Sequence, residues 1–422
     1  MRTDLLTGHR TGIIRRLTRR ATPAHFPVSW TIVDSFLSDT TVFGPYPADS
    51  AGAGYAFADE PRAFAAAVGE AVERYCGNLV PPGLPTGPAT EIPDAVDPAG
   101  LALFSAAQYE RAGFPCRPLT ADLPIPWARA TDLKTGGGTA VPASLVWVNH
   151  PGGPLTHPVV QAGLATGSSF DDAVWSGLCE VVERDAMTMV WTGRGTLTPV
   201  EPPRRVRRLA RPPLHARWFV FPHETGLPVV GALVRDETTG YHALGMGAGS
   251  DPQACAVKAL GEALQLLLLL GDYDRPDSGF GRAAEGAGSP LKPWRPARDY
   301  ATTYRADFAD VVDYGCHLQL HLDPEIQRRF EAELATATGD GEPDWDPPSA
   351  TADLVDRIAA TGHRALTADV TTADVRAAGL HVVRVLVPGY YTNAPAGLPL
   401  LGGTRLPAQL AGRAPRLLPL PH

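Results

Sequence analysis

The spacing of apolar and polar positions predicts three long helices, each preceded by a glycine-rich segment. The first is expected from Ala63 to Tyr75, the second from about Phe170 to Trp191, and the third from about Ser250 to Gly271. Each has a polar or proline-containing start, which suits a first helical turn because its N–H groups lack intrahelical acceptors. The chain is therefore predicted to contain pseudo-repeated units, each a glycine turn followed by a helix.

Two apolar runs predict buried strands, from Pro228 to Val234 and from Leu380 to Gly389. Short strands between long helices, without a regular βαβ alternation, favour an α+β fold with a β-sheet core and flanking helices. No sharp linker divides the chain. We expect an N-terminal segment (1–48) that packs on one domain (49–406), followed by a proline-rich tail (407–422) whose extended shape could thread into a groove.

Composition narrows the classes of protein that remain. With 44% hydrophobic residues a sizeable core is possible, and 37 basic against 45 acidic residues, a net charge of −8, argue against a nucleic-acid partner. The five cysteines form no C-x-x-C pair, which disfavours a disulfide framework and favours a reducing cytoplasm. The longest aliphatic run, Leu266 to Leu270, is shorter than the roughly 18 residues that span a bilayer, so no membrane partner is expected.

Two of the predicted helices each carry a pair of glutamates that could bind a metal ion. Residues three apart share one helix face, so Glu70 lies beside Glu73 and Glu180 beside Glu183. Each pair is followed directly by an arginine. Such pairs suit Mg²⁺ bound together with phosphate oxygens.

The same helical geometry predicts which other residues of the second helix lie on the side of this glutamate pair. Asp172, Ala173 and Ser176 are expected on the acidic stripe, opposite an apolar core face. In the third helix Glu262 stands in an apolar segment. A buried, unpaired carboxylate is costly there, so this residue is expected to meet a cation, a basic partner or a ligand.

Plainer interpretations compete with this one. A single Glu-x-x-Glu-Arg segment is usually a solvated face, but two copies plus Glu262 favour a function. No phosphate loop or dinucleotide fingerprint is present. His317 and His321 are expected to be a satisfied pair rather than zinc ligands, and Cys179 to be a core residue.

These segments together resemble the YcaO-domain family over roughly residues 49 to 406. The resemblance rests on Gly69 to Tyr75, Ala162 to Gly167, Cys179 to Ala186, Glu262 to Gln265, Val383 to Val385 and Pro388-Gly389. It implies a YcaO-type ATP-binding fold, with ATP and Mg²⁺ as cofactors. By resemblance the magnesium ligands would be Glu70, Glu73, Glu180 and Glu183, and the ATP contacts Ser168, Asp172, Arg184, Glu262 and Gln265.

The resemblance also implies an activity, ATP-dependent cyclodehydration of Cys, Ser or Thr residues in a ribosomal precursor peptide to thiazolines or oxazolines. In such enzymes a Pro-x-Pro tail reaches the active site, which would give Pro419, Pro421 and His422 a catalytic part. A separate leader-peptide-binding partner is expected, and a homodimer is possible. The chain departs from the family pattern at Ala66, Trp175 and Ala259.

Three alternatives stay open at this stage. Thioamide formation or amidine macrocyclisation would use the same phosphorylated amide with a different nucleophile. A non-catalytic ATP-binding accessory protein would keep the acidic cluster without peptide turnover. If the glutamate pairs were only structural, Glu70→Ala and Glu183→Ala would leave function intact.

Overall fold

A computed structural model describes residues 2–41, 50–149, 153–343 and 345–422. The expected boundary at residues 48 and 49 lies outside the described residues. The strands are β1 (Ile14–Arg19), β2 (Trp30–Leu37), β3 (Ala51–Phe57), β4 (Thr86–Gly87), β5 (Ile125–Asp132), β6 (Gly138–Pro142), β7 (Leu164–Gly167), β8 (Thr198–Val200), β9 (Leu214–Val220), β10 (Val229–Asp236), β11 (His242–Ala248), β12 (Leu366–Asp369) and β13 (His381–Leu386). The α-helices are α1 (Glu60–Asn78), α2 (Ala106–Tyr109), α3 (Ala143–Val146), α4 (Phe170–Trp191), α5 (Arg204–Arg207), α6 (Pro252–Tyr273), α7 (Gly279–Ala284), α8 (Tyr314–Leu320), α9 (Pro324–Ala337), α10 (Thr351–Ala360), α11 (Ala373–Ala377) and α12 (Arg405–Leu410).

The described strands form three sheets. The first has the order β1-β2-β3 and the second the order β11-β10-β9-β8. The third has the order β4-β5-β12-β13-β7, with β6 also paired to β5. All of these pairings are antiparallel. The predicted α+β class is therefore confirmed, and both predicted apolar strands are present as β10 and β13.

Each of the three long helices packs on a different sheet. Helix α1 packs on β2 and β3, α4 on β7 and β13, and α6 on β10 and β11. Asp59, Ser169 and Asp251 cap the helix starts by accepting a backbone N–H bond. Among the described helices, α6 is long and apolar enough to cross a membrane, although half of that stretch is buried inside the structure. A core helix passes the same test, and α6 packs here as one.

Most residues of the glycine-rich segments before these helices lie in strands, so the prediction of glycine turns was wrong for them, although Gly163 does lie in a turn. The strands are β3, β7 and β11. A Cβ added at Gly54 would lie 2.1 Å from a backbone nitrogen of α1, and one at Gly167 2.3 Å from a backbone nitrogen of α4. One at Gly245 would lie 2.1 Å from a backbone oxygen of α6. Glycine is needed because each helix lies directly against the strand that precedes it.

Candidate functional site

The polar faces of α1, α4 and α6 meet around a cleft of about 950 Å³. Eight of the predicted site residues line it: Glu70, Glu73, Ser168, Glu180, Glu183, Arg184, Glu262 and Gln265. Four do not line it: Asp172, Pro419, Pro421 and His422. Three helices, each packed on a different sheet, thus bring together residues almost 200 positions apart in the chain.

Helix α4 supplies the centre of the cleft. The Arg184 guanidinium lies 3.4 Å from Glu183 Oε1, 3.9 Å from Glu180 Oε1 and 4.0 Å from Glu262 Oε1. Glu180 Oε2 accepts a 2.9 Å bond from the Gly163 N–H, and burial raises the pKa of this carboxyl. Glu183 is 1% exposed, and its Oε2 atom accepts no hydrogen bond. A buried carboxylate oxygen that accepts no hydrogen bond is costly without a cation nearby, so this atom is a candidate cation ligand.

Helix α1 supplies the opposite wall. Glu73 Oε1 accepts a 2.6 Å bond from the Thr166 N–H. Burial, together with the nearby carboxylates of Glu70 and Glu180, raises the pKa of Glu73 well above its usual range. Glu70 accepts two bonds, of 2.7 and 3.0 Å, from the Arg74 guanidinium. The carboxylates are therefore crowded, and a divalent cation would relieve their mutual repulsion.

Helix α6 adds a cation that the sequence analysis missed. Lys258 lines the cleft, and its Nζ lies 3.8 Å from Glu183 Oε2. The Glu183 carboxylate raises the pKa of Lys258 above its ordinary value. Glu262 Oε2 accepts a bond from the Met246 N–H in β11 and thus has the partners that its apolar setting predicted. Lys258 stands four residues before Glu262, so helical spacing could have identified it.

The donor set fits magnesium bound with phosphate. Among the described residues, no three His, Cys, Asp or Glu side chains converge tightly enough to enclose a metal ion by themselves. Mg²⁺ is commonly held by one or two carboxylates together with substrate phosphates rather than by a complete protein cage. Paired glutamates on two walls of an open cleft, with Arg184 and Lys258 between them, match that mode.

The start of α4 differs from the predicted acidic stripe. Ser168 lines the cleft and donates a hydrogen bond to Asp172, whose carboxylate is exposed outside it. That bond lowers the pKa of Asp172. Ala173 is fully buried in the core, because α4 lies directly on β7 at this point. Its assignment to the stripe was wrong.

The C-terminal tail packs on the core and contacts Arg184, one of the residues that line the cleft. Three of its backbone carbonyls accept hydrogen bonds from the core: Leu418 O from Trp191 Nε1 at 2.7 Å, Pro419 O from His321 Nε2 at 2.8 Å, and Pro421 O from the Leu244 N–H at 2.7 Å. Pro419 and Pro421 are buried. The tail is thus held chiefly through its main chain.

His422 ends this path on the central arginine. Its Nδ1 lies 2.9 Å from Leu244 O and donates to it, so Nε2 carries a lone pair that accepts from the Arg184 guanidinium. Burial and the neighbouring Arg184 lower the pKa of His422 to about 4. A neutral imidazole therefore holds one side of Arg184 while the carboxylates hold the other.

His317 and His321 are a satisfied buried pair, as predicted. His321 Nδ1 accepts from His242 Nε2 at 2.7 Å, while its Nε2 donates to the tail. His317 Nε2 accepts from the Ala396 N–H at 3.0 Å. Cys179 is buried in the core, also as predicted. The structure uses these histidines to anchor the tail and the segment after β13.

A family model, described as YcaO cyclodehydratase, ATP- and Mg²⁺-binding, matches residues 54–391. The expectation of ATP and Mg²⁺ as cofactors is thereby confirmed. Among curated proteins, the chain is 28% identical over 170 residues to an uncharacterized protein in the tfuA 3′ region of Rhizobium leguminosarum bv. trifolii. That match covers 34% of this chain and 39% of the relative.

Solved structures share the fold at low identity. A heterocyclase in complex with substrate and cofactor has a TM-score of 0.63 at 20% identity, over 92% of this chain and 51% of the other. YcaO from Methanopyrus kandleri, bound with AMPPCP and Mg²⁺, has a TM-score of 0.59 at 21% identity, over 90% of both chains. The E. coli microcin synthetase McbBCD complex with pro-MccB17 bound has a TM-score of 0.60 at 13% identity, over 95% and 94% of the two chains.

The chain spans about half the length of that heterocyclase and less than half of the curated relative. The family match nevertheless covers most of the chain and includes all three long helices. The five glutamates and Arg184 of the cleft lie within the matched range. This chain belongs to the YcaO cyclodehydratase family.

Proposed function

We propose that this protein is an ATP-dependent peptide cyclodehydratase that converts Cys, Ser or Thr residues of a ribosomal precursor peptide to thiazolines or oxazolines. One observation carries the proposal. The cleft combines carboxylates from three helices, including a buried Glu183 oxygen that accepts no hydrogen bond, with a central Arg184 that the tail contacts through His422. An ATP-binding protein without peptide chemistry would not need a tail on that arginine.

The proposed reaction is a phosphoryl transfer followed by an elimination. The side-chain sulfur or oxygen adds to the preceding amide carbonyl and loses its proton. The resulting oxyanion takes the γ-phosphoryl group and ADP leaves. The C–O bond to phosphate then breaks as the amide nitrogen loses its proton and a C=N bond forms. When bound, Mg²⁺ neutralises charge on the transferring phosphoryl group.

The side chains of this chain have separable tasks in that scheme. Glu70, Glu73, Glu180 and Glu183 would hold the metal ions, and Ser168, Glu262 and Gln265, which line the cleft, would border the nucleotide. Asp172 lies outside the cleft and accepts the hydrogen bond of Ser168. Arg184 is oriented before the reaction by carboxylates on one side and by His422 on the other. Such preorganisation stabilises developing charge without reorganisation during the reaction. Lys258 adds a second positive charge on the same wall.

The setting of the enzyme is part of the proposal. All five cysteines are free and buried, which supports action in the reducing cytoplasm. A peptide substrate and partner proteins are supported by the substrate-bound heterocyclase and by the McbBCD complex among the similar folds. A separate leader-binding partner is accordingly expected, and a homodimer stays a prediction.

The first experiment is calorimetric titration of Mg-ATP into the wild type and the Glu183→Gln variant at identical salt. We expect binding by the wild type and its loss in the variant. The matched control is Glu331→Gln, which neutralises a half-exposed surface carboxylate paired with Arg217. Equal binding by the wild type and Glu183→Gln would overturn the carboxylate site.

A second experiment tests the chemistry. Peptides that contain Cys or Ser should stimulate phosphate release and lose one water per ring formed, as followed by mass spectrometry. ATP binding without stimulated release, in the presence of the expected partner, would identify an accessory protein. Uptake of sulfur, or ring closure by an amine without an azoline, would identify thioamide or amidine formation instead.

A further inference from the structure

Within the described part of the chain, the outer edge of the first sheet is open along most of its length. There, strand β1 pairs with β2 on one side only. On its other side the described chain covers Ile14, whose N–H donates to Leu6 O and whose carbonyl accepts from the Gly8 N–H. Beyond that point β1 has no second strand partner among the residues that the structure describes. The exposed part of the edge therefore begins after Ile14.

The pairing pattern identifies which groups are open. The Arg20 N–H donates to Ile32 O at 3.0 Å, and Arg19 stands opposite Val33. In an antiparallel pair, hydrogen-bonded and non-hydrogen-bonded residues alternate along a strand. The N–H and C=O groups of Leu17 and Arg19 therefore point away from β2. They present the donors and acceptors that a further strand would need.

This edge is basic in a chain whose net charge is −8. Arg15, Arg16 and Arg19 are all exposed. Glu60 lies 3.7 Å from Arg19, but both side chains remain at least half exposed. Arg15 Nε donates to Leu37 O at 2.7 Å, and the Arg16 guanidinium lies over the Phe36 ring. All three arginines remain exposed, so the strand favours an acidic strand as the partner.

A groove beside the edge leads towards the cleft. It has a volume of about 550 Å³ and lies between β1 and α1, with Leu17, Phe64 and Val68 among its apolar lining residues. Ala65 borders both this groove and the glutamate-lined cleft. A chain that pairs with β1 could place alternate side chains in the groove and continue over α1 to the site.

We propose that the open edge of β1 binds an acidic, extended segment of the peptide substrate as a fourth strand. The inference rests on the proposed function, because it takes a peptide as the substrate. It adds a peptide-binding surface within this chain to the separate leader-binding partner that is expected. Main-chain bonds to Leu17 and Arg19 provide affinity, the arginines select acidic side chains, and the groove directs the chain to the cleft.

The probe is a fluorescein-labelled synthetic peptide of alternating Glu and Val residues, with a Lys-for-Glu peptide as the control. Binding is measured by fluorescence anisotropy. We expect the wild type to prefer the Glu peptide and to bind it less well as salt increases. An Arg16→Gln/Arg19→Gln double variant should bind roughly three- to tenfold more weakly. Arg305→Gln, an exposed arginine elsewhere, should bind as the wild type does.

A backbone variant separates strand pairing from simple charge attraction. Leu17→Pro removes an N–H that points away from β2, so the existing pairing is kept while the new one is blocked. We expect a larger loss of binding than in the arginine variant. Near-ultraviolet circular dichroism checks its folding. If Leu17→Pro does not fold, peptides N-methylated at alternate residues test the same bonds on the wild type.

Mg-ATP titration of each variant keeps the two proposals distinguishable. Retained Mg-ATP binding with equal peptide binding in all variants would overturn the edge proposal alone. Peptide binding by a wild type that does not bind Mg-ATP would overturn the proposed function while the edge proposal stands. A wild-type dimer that Leu17→Pro converts to monomer, without a peptide effect, would identify the edge as a self-interface and overturn the inference.

Discussion

Replacing Gly54 in β3 by alanine tests whether close contact between strand and helix shapes the site. The added Cβ would lie 2.1 Å from the Ala67 backbone nitrogen and 2.5 Å from the carbonyl carbon of Ala66. Both are main-chain atoms of α1, so no side-chain rotation can relieve the overlap. The helix must move away from the sheet by about 1.3 Å to restore ordinary contact.

The magnitude follows from the kind of atom displaced. Overpacking that shifts backbone typically costs about 1–3 kcal/mol, against about 0.4–1 kcal/mol gained when alanine replaces glycine in the unfolded chain. We therefore expect net destabilisation and a lower thermal midpoint. Because α1 also carries Glu70 and Glu73, its displacement should weaken Mg-ATP binding as well.

Gly69→Ala is the matched control because it makes the same change in the interior of α1. The nearest atom to its added Cβ is the Thr166 Cβ, at 3.9 Å, which is ordinary contact. Alanine is preferred over glycine inside a helix by about 1 kcal/mol, so this variant should be as stable as the wild type or more stable. Thermal and urea denaturation measure both variants. A Gly54→Ala protein as stable as Gly69→Ala would refute the reasoning.

Three further predictions concern the cleft and the tail. Lys258→Met removes the cation 3.8 Å from Glu183, and at saturating Mg²⁺ it should raise the Kd for ATP, with Lys258→Arg restoring it in the same calorimetric titration. His422→Ala removes the acceptor of Arg184, and should lower kcat for peptide-stimulated phosphate release by about 10- to 100-fold while nucleotide Kd changes less; an unchanged kcat would contradict this role. Burial lowers the pKa of His321 to about 4, below its unfolded value, so the unfolded chain takes up the proton first as pH falls. This group should therefore lower the free energy of unfolding by about 1.4 kcal/mol per pH unit as the pH falls from about 6.5 to 4. Over that range the thermal midpoints of the wild type and of His321→Gln should change with pH at different slopes.

The helices and their paired glutamates could be predicted because those signals are local. Residues three apart in a helix share one face whatever the tertiary structure, and helix caps are formed by the residues next to the helix start. Helix α4 runs from Phe170 to Trp191, as predicted. The glycine segments could not be assigned by the same reasoning, since a turn and a strand under a closely packed helix both require the absence of a Cβ.

The sequence pattern could not predict which distant segments of the chain contact one another. Nothing local indicates that three helices rest on three separate sheets, or that His321 and Trp191 hold the tail through its carbonyls. The contact between His422 and Arg184 joins residues 238 positions apart. The family resemblance implied a tail at the active site, but the anchoring donors are visible only in the folded chain.

The contacts of the tail depend more on the register of its main chain than on the identity of its side chains. Its anchoring atoms include carbonyl oxygens, which every amino acid possesses, so side chains such as Leu417, which is only partly buried, can vary without loss of these bonds. Register has no such freedom. One residue inserted between Arg416 and Leu418 would carry the following residues about 3.3 Å along the path and place Pro421 where His422 now meets Arg184. The contact of His422 with Arg184 therefore depends on the number of residues that separate His422 from the anchored carbonyls.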